Sequence, residues 1–179
     1  MKHVKIPKDR VGVLIGPDGK TKGHIERRLG VRLLIDSEEG EVEVDDRTSE
    51  DPLAQIKAEN VVRAIGRGFS PQNAAKLYSD DYYLELLDIH EFTGKNKDHV
   101  RRVTGRLVGT GGKTRKLIED LTGCKISIYG HTVAIIGEID GLAIAKEACS
   151  MILSGSEHAS VYRYLENKRR EQRLAEFGF

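Results

Sequence analysis

The sequence predicts an α+β fold: two tandem copies of a β-α-α-β-β-α unit, followed by a C-terminal helix. Each unit is expected to pack a three-stranded antiparallel sheet on three helices. Three observations predict this. The segment Gly16-Pro17-Asp18-Gly19-Lys20-Thr21 returns as Gly109-Thr110-Gly111-Gly112-Lys113-Thr114, an offset of 93 residues. The same offset pairs Leu14 with Leu107, Ile25 with Ile118, Glu26 with Glu119, Gly30 with Gly123, Leu33 with Ile126 and Ile35 with Ile128. Finally, each Gly-x-x-Gly stands between two runs of helical spacing, so each marks a corner between helices. A register shared over some two dozen residues implies a duplicated unit.

Taken in order, His3–Ile6 reads as a strand and Asp9–Ile15 as a helix running into the first corner. Lys20–Leu29 is helical until Gly30 stops it. Arg32–Asp36 and Glu41–Val44 alternate as strands. An acidic loop follows, and Pro52 then suits a helix start. Leu53, Ile56, Val61, Ala64 and Ile65 mark the helix, and Gly66-Arg67-Gly68 its end. The first unit is therefore residues 1–68, and 69–81 is a connector with a Ser70-Pro71 helix start.

The second unit, residues 82–155, opens with a strand over Tyr82–Ile89. His90–Asp98 is polar and reads as a loop. Helices are expected over Lys97–Val108 and Lys113–Thr122, around the second corner. A hairpin follows, Lys125–Tyr129 and Thr132–Gly137 about Gly130-His131, and then a helix over Ile139–Leu153. Lys57 pairs with Lys146 at an offset of 89, so the second copy is expected to lack four residues of the acidic loop. Residues 156–179 form a polar helical tail whose few apolar positions, Val161, Tyr164 and Leu165, predict weak docking or reach toward a partner.

The corners carry the chemistry. Glycine tolerates positive φ and has no Cβ, so a ligand backbone can approach closely. Amides opening the next helix lack intrahelical acceptors and sit at the positive end of its dipole, which suits phosphate. Net charge is only +1 over 179 residues, but it is segregated. Residues 95–116 hold eight Lys or Arg against Asp98, a net of +7, whereas residues 36–51 hold nine acids against Arg47, a net of −8.

Helix, Gly-x-x-Gly, helix resembles the RNA-gripping corner of KH domains, and the element order is that of the type I arrangement. The type II order needs further elements before the paired helices. The candidate second site is Gly109, Thr110, Gly111 and Gly112 on the sugar-phosphate chain, with charge from Lys113, Arg115, Arg102 and Arg106. Val108, Ile118, Ile126 and Ile128 would line an apolar groove for splayed bases. At the first corner Asp18 places an acid where phosphate should sit, and Pro17 removes an amide donor. Gly16, Pro17, Asp18, Gly19, Lys20 and Lys22 are thus either a second RNA contact or a repeat turned to protein docking.

Both units, the Thr110–Thr114 block, the Ser70–Ala75 spacer and the basic tail resemble the partner-of-Nob-one family of ribosome-assembly proteins, in its archaeal form. The resemblance implies a non-enzymatic, cytoplasmic protein that binds single-stranded RNA near the 3′ end of small-subunit rRNA. It would assist the maturation endonuclease beside small-subunit ribosomal proteins. A monomer with no cofactor and no metal is expected. The alternative is a KH subunit of another RNA machine, exosome-like or transcript-binding.

Other classes find little support. A Walker loop needs glycine five positions before Gly-Lys, where Leu14 and Leu107 stand. The six histidines are scattered without zinc-site spacing, and Asp45-Asp46 and Asp80-Asp81 read as solvated loops rather than nuclease carboxylates. Cys124 and Cys149 suit a reducing compartment. No apolar run reaches membrane-spanning length, and the first residues are not those of a signal peptide.

Overall fold

The computed structural model describes residues 2–178; Met1 and Phe179, the ends of the expected first unit and tail, lie outside the described residues. The chain forms two compact units, one up to Leu84 and one from Glu85. Both have the expected type I KH order.

In the first unit, β1 (Lys2–Lys5) leads into α1 (Lys8–Ile15), the first corner and α2 (Lys20–Leu29). Strands β2 (Arg32–Asp36) and β3 (Glu41–Asp45) follow, giving an antiparallel sheet in the order β1-β3-β2. Its register sets Val4 against Val42 and Leu33 against Val44, so one pleat face is aliphatic and fully covered. Helix α3 (Ala54–Gly66) covers that face with Ala54, Ala58, Val62 and Ile65.

Leu53 and Ile56, which mark the helix in the sequence, are 46% and 53% exposed. Asp51 caps the turn through Leu53 N (2.8 Å), so the helix opens at Ala54 and its small alanines approach the sheet. Ile56 follows Ala54 by two residues, on the opposite helix face.

The connector is part of this unit. The Ser70 hydroxyl accepts from Asn73 N at 3.2 Å, opening α4 (Pro71–Ala74), which a 3-10 turn over Ala75–Tyr78 continues. Ala74 and Leu77 are buried.

The second unit contains β4 (Tyr83–Asp88), α5 (His90–Thr93), α6 (Lys97–Val108), α7 (Lys113–Thr122), β5 (Lys125–Tyr129), β6 (Thr132–Gly137), α8 (Ile139–Leu153) and α9 (His158–Glu176). The sheet order is β4-β6-β5, with Ile126 opposite Ile135. The stretch expected as a loop holds the one-turn α5, because the Asp88 carboxylate accepts from His90 N at 2.9 Å. Asn96 then caps α6 through the amides of Asp98 and His99.

The tail does not dock weakly. Val161 and Leu165 are 0% and 1% exposed within the second core, packed against α7 and α8. Two apolar residues four apart suffice because the rest of that face is held by hydrogen bonds described below.

Burial also corrects the register of the third helix. Ala54, Ala58, Val62 and Ile65 match Gly141, Ala145, Cys149 and Ile152 at an offset of 87, not 89. The hairpin turn is two residues shorter in the second copy (130–131 against 37–40), so its gap totals six. An arginine clamp confirms this register. Arg10 donates to the carbonyls of Ile65 and Phe69, and Arg106 to those of Ile152 and Ser156; the acceptors are 87 residues apart, although the arginines themselves are 96 apart.

At the end of β3 the Arg47 side chain and then its amide donate to Asp45, holding that carboxyl down at about 2 against an ordinary 3.8. A depressed carboxyl stabilises the fold above its unfolded pKa, and this is lost as pH falls from about 3.8 through about 2. Wild type and Asp45→Asn should therefore differ in urea midpoint at neutral pH and converge in strong acid. A constant gap across that titration would assign the difference to something other than this carboxylate.

Candidate RNA interface

The second corner is a 3-10 turn over Thr110–Gly112 between α6 and α7. Gly109, Gly111 and Gly112 all have positive φ (77°, 62° and 78°). A Cβ at Gly109 would lie 2.3 Å from the Thr114 hydroxyl, so that position is closed to other residues. At Gly111 nothing lies within 4 Å of such a Cβ. Thr110 and Gly111 are exposed at the tip, Lys113 is exposed next to them, and Arg102 is exposed about two turns back along α6. The Gly112 and Lys113 amides are already bonded to the Gly109 and Thr110 carbonyls, so the positive end of the α7 dipole and the Lys113 side chain, rather than those two amides, address the open apex.

Two predicted cations do other work. Arg106 turns inward to the clamp on Ile152 and Ser156, so it holds the tail rather than a phosphate. Arg115 lies 3.4 Å from the carbonyl of Ile126 and 3.6 Å from the Glu119 carboxylate, still part-exposed. Glu119 accepts from Ile126 N at 2.9 Å, and Glu26 accepts from Leu33 N in the first unit, so the paired glutamates fasten each second helix to its strand.

Of the four groove residues, Val108 and Ile128 are half-buried and can meet a base. Ile118 and Ile126 are 0% and 2% exposed and belong to the core, which corrects their expected lining role. They occupy the inward positions of α7 and β5, facing β6 and α8.

The sequence hid a brace behind this corner. The Thr114 and Tyr162 hydroxyls are 3.1 Å apart, and His158 Nε2 lies 2.8 Å from the Arg106 carbonyl. Residues about 50 positions apart thus tie α9 to both helices of the corner. The repeated Thr after each Gly-Lys was the one available signal.

In the first corner Asp18 is the one described non-glycine residue with positive φ (54°), the position of Gly111 in the second. Pro17, Asp18 and Lys20 are exposed, while Lys22 lines a surface groove with Leu34 and Ile35. Asp36, Glu38, Glu41 and Glu43 share that groove. Tyr129, Thr132 and Ala134 stand at the matching places of Asp36, Glu41 and Glu43, so the second groove lacks those carboxylates. Like charges beside a phosphate are costly, so the two corners differ in what they offer an anion.

Left-handed backbone is unfavourable for a residue with a Cβ. Asp18→Gly should stabilise the first unit by roughly 0.5–1 kcal/mol in urea unfolding, offset partly by glycine's unfolded-state entropy. An unchanged or lower midpoint would show that the Asp18 side chain contributes more than the strain removes.

No zinc spacing was evident, yet folding brings Asp88, His90 and His131 together, their ligand atoms within 4.8 Å. His131 Nδ1 lies 2.9 Å from the Asp88 carboxylate, and the two imidazoles stack at 4.1 Å. The His131 contact, ahead of the His90 amide, pulls the Asp88 carboxyl below its ordinary value. These contacts account for the trio as a clasp between β4 and the hairpin tip.

Residues 83–170 match the family model for the eukaryotic-type KH domain (KH-domain type I), and residues 1–67 match that for the KH domain. A KH domain-containing protein of Methanocaldococcus jannaschii is 49% identical over 174 residues, spanning 97% of this chain and 76% of that protein. The pre-rRNA-processing protein pno1 of Schizosaccharomyces pombe is 30% identical over 169 residues, spanning 93% of this chain and 70% of its own length. A chain in the crystal structure of an a/eIF2alpha–aDim2p–rRNA complex from Pyrococcus horikoshii superposes with a TM-score of 0.90 at 46% identity. That match covers 95% of this chain and 94% of the other.

Proposed function

The chain belongs to the PNO1 family of KH-domain proteins, and from that we propose that it is an RNA-binding factor of small-subunit ribosome assembly, engaging rRNA near the 3′ end. It acts without catalysis of its own, as a cytoplasmic monomer. It presents the 3′ region to the maturation endonuclease among small-subunit ribosomal proteins.

The observation that carries this is the second corner: an exposed Thr110-Gly111 apex at a helix start, flanked by Lys113 and, about two turns back along α6, Arg102, beside a groove without the first unit's carboxylates. The aliphatic edge formed by Val108 and Ile128 suits a splayed base. The chemistry of cleavage is assigned to the partner endonuclease. That the pno1 relative is named for pre-rRNA processing, and that the superposing chain sits in an rRNA complex, supports the same assignment.

Fluorescence anisotropy with an oligonucleotide of the small-subunit rRNA 3′ end, against a shuffled one of equal length, tests it. The 3′ sequence should bind more tightly. Its log affinity should fall with log salt by about 0.7 per phosphate contacted. Adding the protein should also accelerate cleavage by the endonuclease on a precursor fragment. Equal binding of both oligonucleotides with no effect on cleavage would move the chain to another RNA machine.

A further inference from the structure

Register 87 carries past the third helix. Ser70 holds the N-cap position of α4 where Glu157 holds that of α9, though only Ser70 caps through its side chain, and the buried Ala74 stands at the place of the buried Val161. The connector helix is therefore the short counterpart of the tail helix, each packed against the third helix of its unit. One residue later the copies diverge: Ala75 stands where the second unit has Tyr162. In the second unit that tyrosine reaches the Thr114 hydroxyl, and Thr114 is 3% exposed. In the first unit the Ala75 methyl stands there, Thr21, the partner of Thr114, is part-exposed, and a cleft of about 630 Å³ opens beside it.

We propose that this cleft is a nucleotide-binding site: it takes one base of a single-stranded RNA, with the backbone phosphate at its rim. The size falls in the range of small-ligand pockets. Ile25 and Ile65 border it but are almost wholly buried, so the surface open to a base comes from His24, Pro71, Ala75 and Tyr78. His24 and Tyr78 also line it, tilted to one another at 6.0 Å; the Arg28 guanidinium lies over the Tyr78 ring at 5.6 Å, so a base would stack on the exposed His24 or on the Tyr78 face that Arg28 leaves open. The Thr21 hydroxyl supplies the polar contact that Thr114 gives to Tyr162.

Charge selects a nucleotide over an aromatic side chain of a protein. Lys20 and Arg27 line the cleft, and no carboxylate does. Lys20 follows Gly19 directly, so a strand crossing the first corner has a base within reach of the cleft. The cleft faces α3 and α4, apart from the acid-lined groove of the same unit. The first unit thus meets RNA on the side its carboxylates leave free.

The test uses the full chain carrying Thr110→Asp and Gly111→Asp, so that the second corner contributes nothing and its own failure or success is scored separately. AMP is titrated in, followed by a ten-nucleotide single-stranded RNA, while backbone amide NMR shifts are recorded. Shifts should concentrate at Thr21, His24, Ala75 and Tyr78. Ala75→Tyr, which rebuilds the second unit's packing, should weaken binding roughly tenfold or more, the worth of one stacked base. It should also raise Tm. Arg27→Glu, on an exposed position, provides a second variant should Ala75→Tyr fail to fold, and it too should weaken binding about tenfold. Shifts confined to residues 16–19, or affinity unchanged in a folded variant, would overturn the site. Saturation by N-acetyl-tyrosine amide with no response to AMP would overturn it as well, in favour of a protein side chain.

Discussion

Changing Thr110 and Gly111 together to aspartate should cost the protein about a hundredfold or more in affinity for single-stranded RNA while leaving it folded. Both residues are exposed at the apex of the second corner. Each added carboxylate would stand within a few ångströms of a bound phosphate, where like charges repel by about 1–4 kcal/mol depending on local dielectric. Two such terms give the expected loss.

The first unit shows that the backbone accepts the change. Asp18 holds φ 54° at the place where Gly111 holds 62°, and no atom lies within 4 Å of a Cβ built on Gly111. The added strain is about 1 kcal/mol, far less than a unit's stability. Anisotropy with a 3′-terminal rRNA oligonucleotide measures the affinity, and circular dichroism with urea unfolding shows that the helices persist. A folded variant that still binds at the original affinity would remove the corner from the RNA site. Gly109→Ala would be a poor substitute test. Its methyl would meet the Thr114 hydroxyl at 2.3 Å, and any loss of binding would be confounded with a broken turn.

Leu165→Ala should destabilise the second unit by about 2–5 kcal/mol, the range for emptying a filled aliphatic site in a core. Leu165 is 1% exposed, and with Val161 it closes the core over α7 and α8. A tail that merely rested on the surface would lose about 0.5 kcal/mol or less on the same change. Urea unfolding followed separately for the two units gives the answer. The effect should extend to RNA affinity, since the Thr114–Tyr162 and His158–Arg106 contacts brace the corner from α9. If the midpoint of the second unit hardly moves, α9 is an appendage and its buried residues are replaceable.

Both expectations rest on a division visible across the molecule. The bounds of α2, α6, α7, β2, β5, β6 and α8 coincide with those read from sequence, because Gly30, Gly109, Gly123 and the Gly130-His131 turn stop each element locally. The short α5 was hidden because its start depends on one carboxylate, that of Asp88, capping an otherwise polar stretch. The third-helix register was misplaced by two because a Lys57–Lys146 pairing follows composition, whereas the offset of 87 follows which small residues face the sheet.

What the sequence determined by itself is the duplicated architecture and the two glycine corners, since a turn needing positive φ and no Cβ is written in adjacent residues. What only the tertiary structure decided is which charges are free to act. Arg106 is consumed by carbonyls 46 and 50 residues away. Ile118 and Ile126 face the core, and acids from two strands gather in the first unit's groove. A side chain's direction depends on partners brought near by folding, and those distances are not carried by local order along the chain.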